Sequence, residues 1–173
     1  IVKMYDEAKQ NEKAIEAAQK IVEINPQSEL AIYNLGIMYF KIQRYEEAIA
    51  QFRRCLEISP NYTLAWFNLG FSFYNLKRYP ESIEAYKKFV EISPDDASGW
   101  SNIGIGYMML KQFENALQPM EKAVELNPNS ATTQYNLAII YINLGDNYSA
   151  RAVYRKLQTL DPGLAERLRK LLR

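Results

Sequence analysis

Apolar residues along this chain recur at spacings of 3, 4 and 7 in two alternating series, separated by polar breaks. The first series reads Ile32, Leu35, Gly36, Tyr39, then Trp66, Leu69, Gly70, Phe73, then Trp100, Ile103, Gly104, Tyr107, and last Gln134, Leu137, Ala138, Tyr141. Breaks such as Gln43-Arg44-Tyr45 and Lys77-Arg78-Tyr79 follow. The second series runs Ala48, Phe52, Cys55; Ser82, Tyr86, Phe89; Ala116, Met120, Ala123; Ala150, Tyr154, Leu157. The spacing predicts two helices, A and B, joined by a short turn. Pro26, Pro60, Pro94, Pro128 and Pro162 fall 34 residues apart and close each helix B, because proline cannot continue a helix.

Windows 29–62, 63–96, 97–130 and 131–164 therefore share one register. Gly36, Gly70, Gly104 and Ala138 are small enough for helix B to lie against helix A, and Ala48, Ser82, Ala116 and Ala150 supply the matching recess. A single helix pair cannot bury its apolar face alone, so the pairs are expected to stack.

The order aromatic, Leu, Gly, Tyr, Ala, aromatic, Ala, Pro at this period resembles the tetratricopeptide repeat over essentially the whole chain. The resemblance implies an all-α, right-handed superhelical solenoid of stacked antiparallel helix pairs that works by binding proteins. Gln134 and Ile32 depart from the first aromatic, and Phe89 and Leu157 stand where the family prefers alanine. Residues 1–28 fit a partial repeat, the tail of a helix A plus a helix B, with Tyr5, Ala14, Ala18, Ile21 and Pro26 in register. Residues 165–173 read as a capping helix, with Leu168, Leu171 and Leu172 on the last repeat and Arg167, Arg169, Lys170 and Arg173 facing water.

Composition narrows the chemistry. The 173 residues are 48% hydrophobic and 24% charged, as in a globular chain forming one array. A net charge of +1 gives no overall basic footprint for nucleic acid. Histidine is absent and Cys55 is the one cysteine, so neither the commonest general base nor a thiolate metal cluster is available; no enzyme, cofactor or metal site is expected. The single cysteine is compatible with a reducing, cytoplasmic setting. No apolar stretch approaches the roughly 20 residues a membrane span needs. Ile1-Val2-Lys3-Met4-Tyr5-Asp6 does not read as a signal peptide, and a first residue other than methionine suits a trimmed piece.

A second stripe on helix A is the candidate binding face. It carries Tyr33, Asn34, Ile37 and Phe40; Phe67, Asn68, Phe71 and Tyr74; Ser101, Asn102, Ile105 and Met108; Tyr135, Asn136, Ile139 and Ile142. Helix A is thus apolar nearly all round, and this stripe either lines a concave groove or is covered by neighbouring repeats. Tyr33, Asn34, Ile37, Phe67, Asn68, Phe71, Tyr74, Asn102, Ile105, Tyr135, Asn136 and Ile139 are the expected peptide-binding residues. An asparagine amide offers a donor and an acceptor side by side, the complement of a peptide group. Neighbouring helices pack roughly 8–10 Å apart and extended chain advances roughly 3.3 Å per residue, so one asparagine could hold about every third residue. In the family, asparagines at this place grip peptide backbones; the alternative is that they brace the fold or are solvated. The family's clamp for C-terminal carboxylates needs Lys and Arg here. The frames Tyr33, Ile37, Asn68, Ser98, Asn102 and Phe67, Phe71, Asn102, Thr132, Asn136 match it only at asparagine.

The leading expectation is an adaptor that binds an apolar or extended segment of a partner protein. The rivals are a scaffold that self-assembles through an uncapped N-terminal end, forming a homo-oligomer, and a targeting domain of a larger protein. Arg53-Arg54, Lys87-Lys88, Lys122 and Arg155-Lys156 read as a solvated face of helix B, and Gly104-Ile105-Gly106 as helix rather than a phosphate loop.

Overall fold

A computed structural model describes residues 2–172, with side chains from residue 10 onward. The expected packing of Tyr5 and the exposure of Arg173 lie outside the described residues. Among the described residues the chain is all-helical, with ten helices and no strand: α1 (Val2–Ile24), α2 (Glu29–Lys41), α3 (Tyr45–Ile58), α4 (Thr63–Asn75), α5 (Tyr79–Ile92), α6 (Ala97–Met109), α7 (Phe113–Leu126), α8 (Ala131–Asn143), α9 (Asn147–Leu160) and α10 (Pro162–Leu171). The A helices are α2, α4, α6 and α8, and the B helices are α3, α5, α7 and α9.

Local chemistry sets these bounds. Ser28, Asp96 and Ser130 cap α2, α6 and α8 by accepting the amides of Ala31, Ser98 and Thr133. Each A helix ends through one residue at positive φ: Gln43 (62°), Lys77 (60°), Lys111 (58°) and Gly145 (80°). The next amide then returns to the last turn, as Arg44 N–H does to the Tyr39 carbonyl (3.0 Å) and Arg78 N–H to that of Phe73 (2.9 Å).

The carbonyls of Pro26, Pro60, Pro94 and Pro128 are each taken up by the following repeat. The Trp66 indole donates to the Pro60 carbonyl and that of Trp100 to Pro94, both at 2.7 Å. Gln134 replaces the aromatic and keeps the bond, its amide donating to the Pro128 carbonyl at 3.0 Å. Ile32 has no donor, and there Arg54 donates to the Pro26 carbonyl instead, at 2.9 Å.

The chain divides into two compact units, Ile1–Ala85 and Tyr86–Arg173. In the first, α2 packs on α1 and α3, and α4 on α3, around Ile32, Leu35, Ala48, Phe52, Cys55, Leu69 and Phe73. A Cβ added at Gly36 would come within 2.7 Å of the Phe52 ring, so the glycine is what admits it. Ser82 is fully buried and donates to the Gly70 carbonyl at 2.8 Å. In the second unit α6 packs on α7, α7 on α8, α8 on α9, and α10 on both α8 and α9. Gly104 meets Met120 as Gly36 meets Phe52, with a Cβ-to-Cε approach of 2.7 Å. Pro119 is buried inside α7, which runs through it without interruption.

Three expectations need correction. Val2–Ile24 do not form the tail of one helix and the start of another: α1 is a single helix through the place where the register puts a turn. The reason is local. The other turns carry Ile42, Leu76, Leu110 or Leu144 and, in three repeats, an aromatic opens helix B, whereas the sequence has Ala8 and Asn11 at the equivalent positions. The last helix starts at Pro162 rather than 165, because Asp161 ends α9 and caps α10 at once, accepting the Leu164 amide at 2.9 Å. That earlier start buries Ala165 and Leu168 but leaves Leu171 exposed, where it was expected to cover the last repeat.

Candidate functional site: the A-helix faces

Residues 5, 6, 9 and 12 of each A helix share one side of the helix, offset from the side that meets helix B. None of the twelve expected binding residues is buried. Asn34 and Phe71 are exposed, and the other ten are half-buried.

In the first unit the face is aromatic and continuous from α2 to α4. Phe40 and Phe71 lie 5.2 Å apart between ring centres, and Phe71 remains 40% exposed. Phe40 and Tyr74 are in turn braced edge-on by Tyr45 and Tyr79, the first residues of α3 and α5. Tyr33 stacks at 5.0 Å on Tyr62 and at 5.8 Å on Phe52. Asn68 braces the fold with its donors, giving its side-chain amide to the Leu64 carbonyl (2.8 Å) and to the Tyr33 hydroxyl (3.0 Å). Its acceptor oxygen is what remains for a ligand.

In the second unit Ile105 and Met108 pack at the edge of the core formed by Ala116, Met120, Leu137 and Ile140. Tyr135, Ile139 and Ile142 line the next cluster, around Ala138, Leu157, Ala165 and Leu168. The Arg167 guanidinium sits 5.8 Å from the Tyr135 ring centre, so it faces water on one side and an aromatic on the other.

Two residues of this face escaped the sequence reading. Leu30 and Leu64 lie one turn before Asn34 and Asn68 and are 57% and 56% exposed. The available signal was their i, i+4 spacing to the asparagines, in slots held by Ser98 and Thr132 in the other repeats.

The titratable groups around the face are structural. Burial, then the neighbouring Tyr62, raises the Tyr33 phenol above its usual value. Burial pushes the Cys55 thiol up to about 11, so it stays protonated and unreactive near neutrality. The Tyr141 hydroxyl is pushed up to about 12 by burial and by donating to Glu121 at 2.8 Å. Among the described residues no group of three or more His, Cys, Asp or Glu side chains could hold a metal ion, and no helix is long and apolar enough to cross a membrane.

Models of the tetratricopeptide repeat match residues 1–28, 63–96 and 107–173, and a model described as TPR repeat matches residues 36–77. No curated protein sequence matches the chain. Solved structures with the same fold include MamA 41-end from Desulfovibrio magneticus RS-1, with a TM-score of 0.81 and 22% identity over 93% of this chain and 95% of that one. A second MamA crystal structure gives a TM-score of 0.84 at 17% identity, over 93% and 94% of the two chains. YrrB, described as a TPR protein with an unusual peptide-binding site, gives 0.76 at 22% identity, over 86% and 77%.

Proposed function

The chain belongs to the tetratricopeptide repeat family, whose members are protein-interaction modules, and from that premise we propose that its A-helix faces hold a peptide segment of a partner protein. The observation that supports this reading is the solvent access of all twelve expected binding residues on helices whose other sides are buried. A helix that only needed to be packed would have no use for exposed Phe71, Leu30 and Leu64 on its free side.

The chemistry suits an apolar, extended segment. Phe40, Phe71 and Tyr74 offer ring surface in the first unit, and Ile105, Tyr135 and Ile139 offer apolar surface in the second. Among the described residues the side chains of Asn34, Asn102 and Asn136 have no hydrogen-bond partner and can offer both halves of a peptide-like amide, whereas Asn68 offers its oxygen alone. Each such bond contributes about 0.5–1.5 kcal/mol net, so apolar anchoring must supply most of the affinity. YrrB is a precedent for peptide binding on this fold. The reading is of binding rather than catalysis: the chain has no histidine and its one thiol is buried.

Random peptides displayed on phage and selected on the immobilised chain test this. Selected peptides should lose at least tenfold in affinity for Phe71→Asp or Ile105→Asp variants of unchanged helicity. Equal binding to both variants and the unaltered chain would overturn it.

A further inference from the structure

An open recess of about 370 Å³ lies between the first turn of α6 and the second half of α7, lined by Trp100, Gln118, Glu121, Lys122 and Glu125. The Trp100 indole forms one wall. Its N–H is bonded to the Pro94 carbonyl at 2.7 Å, so the ring is held in a fixed orientation. Trp100 is half-buried, whereas Gln118, Glu121 and Glu125 are exposed.

One charge reversal within the repeat sets the electrostatics of this recess. At the position of Glu121 the other full repeats carry Arg53, Lys87 and Arg155. Two of those cations lie over an aromatic of the next A helix: the Arg53 guanidinium is 5.5 Å from the Phe73 ring centre and the Lys87 ammonium 5.9 Å from that of Tyr107. Glu121 meets the corresponding Tyr141 by accepting its hydroxyl at 2.8 Å instead. That bond engages one carboxylate oxygen and leaves the second. Lys122 pairs with Glu125 at 2.9 Å, as Lys88 pairs with Glu91 one repeat earlier, so those two charges cancel. The other two positions differ in sequence. Glu84 and Lys87 balance each other, whereas Gln118 and Glu121 carry one net negative charge.

We infer that this recess takes an arginine side chain of a partner protein. The guanidinium stacks on the Trp100 indole, the aromatic that attracts a cation most strongly. Its planar fork donates to the second Glu121 oxygen and to the Gln118 side-chain carbonyl, which has no partner within the fold. The incoming charge takes the place that Arg53, Lys87 and Arg155 fill from within the chain in the other repeats. The recess involves helix B and none of the A-helix stripe residues, so it stands whether or not that face binds an extended peptide.

The probe is acetyl-Gly-Arg-Gly-amide, titrated into the full chain while the indole N–H signals of Trp66 and Trp100 are followed by nuclear magnetic resonance, assigned with a Trp66→Phe variant. The Trp100 signal should shift and saturate in the millimolar range, and that of Trp66 should stay in place. The citrulline analogue, of the same shape without the charge, should bind about 5-fold more weakly. Glu121→Gln should weaken binding about 2- to 5-fold, and Glu121→Arg more than about tenfold. Helices α3 and α9 already carry arginine in this register, at Arg53 and Arg155, and circular dichroism checks that the variant keeps its fold. Equal shifts of both indoles, equal binding of the citrulline analogue, or binding indifferent to Glu121→Arg would overturn the inference. So would sedimentation showing that the chain alone associates in a manner abolished by Glu121→Arg, which would give the recess to a second copy.

Discussion

Gly99 of α6 lies directly against Phe89 of α5: a Cβ at position 99 would come within 2.5 Å of the Phe89 ring and 2.6 Å of Val90. The same pair of positions is Cys55 with Ala65 one repeat earlier and Ala123 with Thr133 one repeat later. The bulk thus trades across one packing seam, and the departure of Phe89 from the family's alanine is accommodated by its partner. Gly99→Ala should cost about 1–3 kcal/mol by overpacking. The double variant Gly99→Ala/Phe89→Cys recreates the Cys55–Ala65 pair and should recover most of that loss. A urea-unfolding double-mutant cycle measures the coupling, and additive losses would show that the seam does not trade volume.

The hydrogen bonds to the proline carbonyls explain why glutamine stands in for tryptophan. Gln134 is 2% exposed and its amide reaches the Pro128 carbonyl as the indoles of Trp66 and Trp100 reach Pro60 and Pro94. Gln134→Leu keeps the apolar volume and removes the donor, and should destabilise by about 1–2 kcal/mol. Gln134→Glu, checked at pH 7, should cost at least as much, since a carboxylate cannot donate to a carbonyl.

The turns hold a reserve of stability. Gln43, Lys77 and Lys111 occupy the left-handed region that Gly145 fills without strain. For a residue with a Cβ this conformation costs about 1–2 kcal/mol, of which glycine's greater chain entropy takes back about 0.5–1. Lys77→Gly and Lys111→Gly should each raise stability by about 0.5–1 kcal/mol, read from the urea midpoint, whereas Gly145→Ala should lower it.

Stability should fall at both ends of the pH scale. Glu47 and Glu81 are held below the usual carboxylate range chiefly by hydrogen bonds from Arg44 and Arg78, and Asp146 by the hydroxyl and amide of Ser149. Their depressed folded-state values give a contribution present above the unfolded carboxylate pKa of about 4 and lost as pH falls through the folded values. Tyr141 is the opposite case. Its folded value of about 12 exceeds the ordinary 10, so its contribution is whole below pH 10 and lost as pH rises towards 12. Tyr141→Phe should make the alkaline limb of a stability profile shallower, with buried Cys55 and Tyr33 accounting for part of what remains, and leave the acid limb unchanged.

Much of the fold was legible because 34-residue spacing and small residues at Gly36, Gly104, Ala48 and Ala116 are read directly from residue type, and the contacts they predicted are present. The joins were harder. Residues 7–10 continue α1 where the sequence lacks the apolar and aromatic residues of the other turns, and the start of α10 depends on Asp161 serving two helices. The candidate face was legible as a stripe but not as chemistry. That Asn68 gives an amide hydrogen to Tyr33 depends on α2 lying beside α4, and the repeated asparagine spacing conceals it. Tyr148 is a similar case: a one-residue shift from the aromatic at the start of α3, α5 and α7 leaves it 82% exposed, while Tyr45 and Tyr79 pack against rings.

The most direct test of peptide binding by the A-helix faces follows the asparagine side-chain amides by nuclear magnetic resonance, each assigned by its Asn→Ala variant, while a selected peptide is titrated in. The signals of Asn34, Asn102 and Asn136 should shift and saturate with the peptide, and that of Asn68 should move less because its amide is already bonded inside the fold. Shifts confined to the outer surfaces of the B helices, around Arg53, Lys88 and Lys122, with these four signals unmoved, would contradict the account.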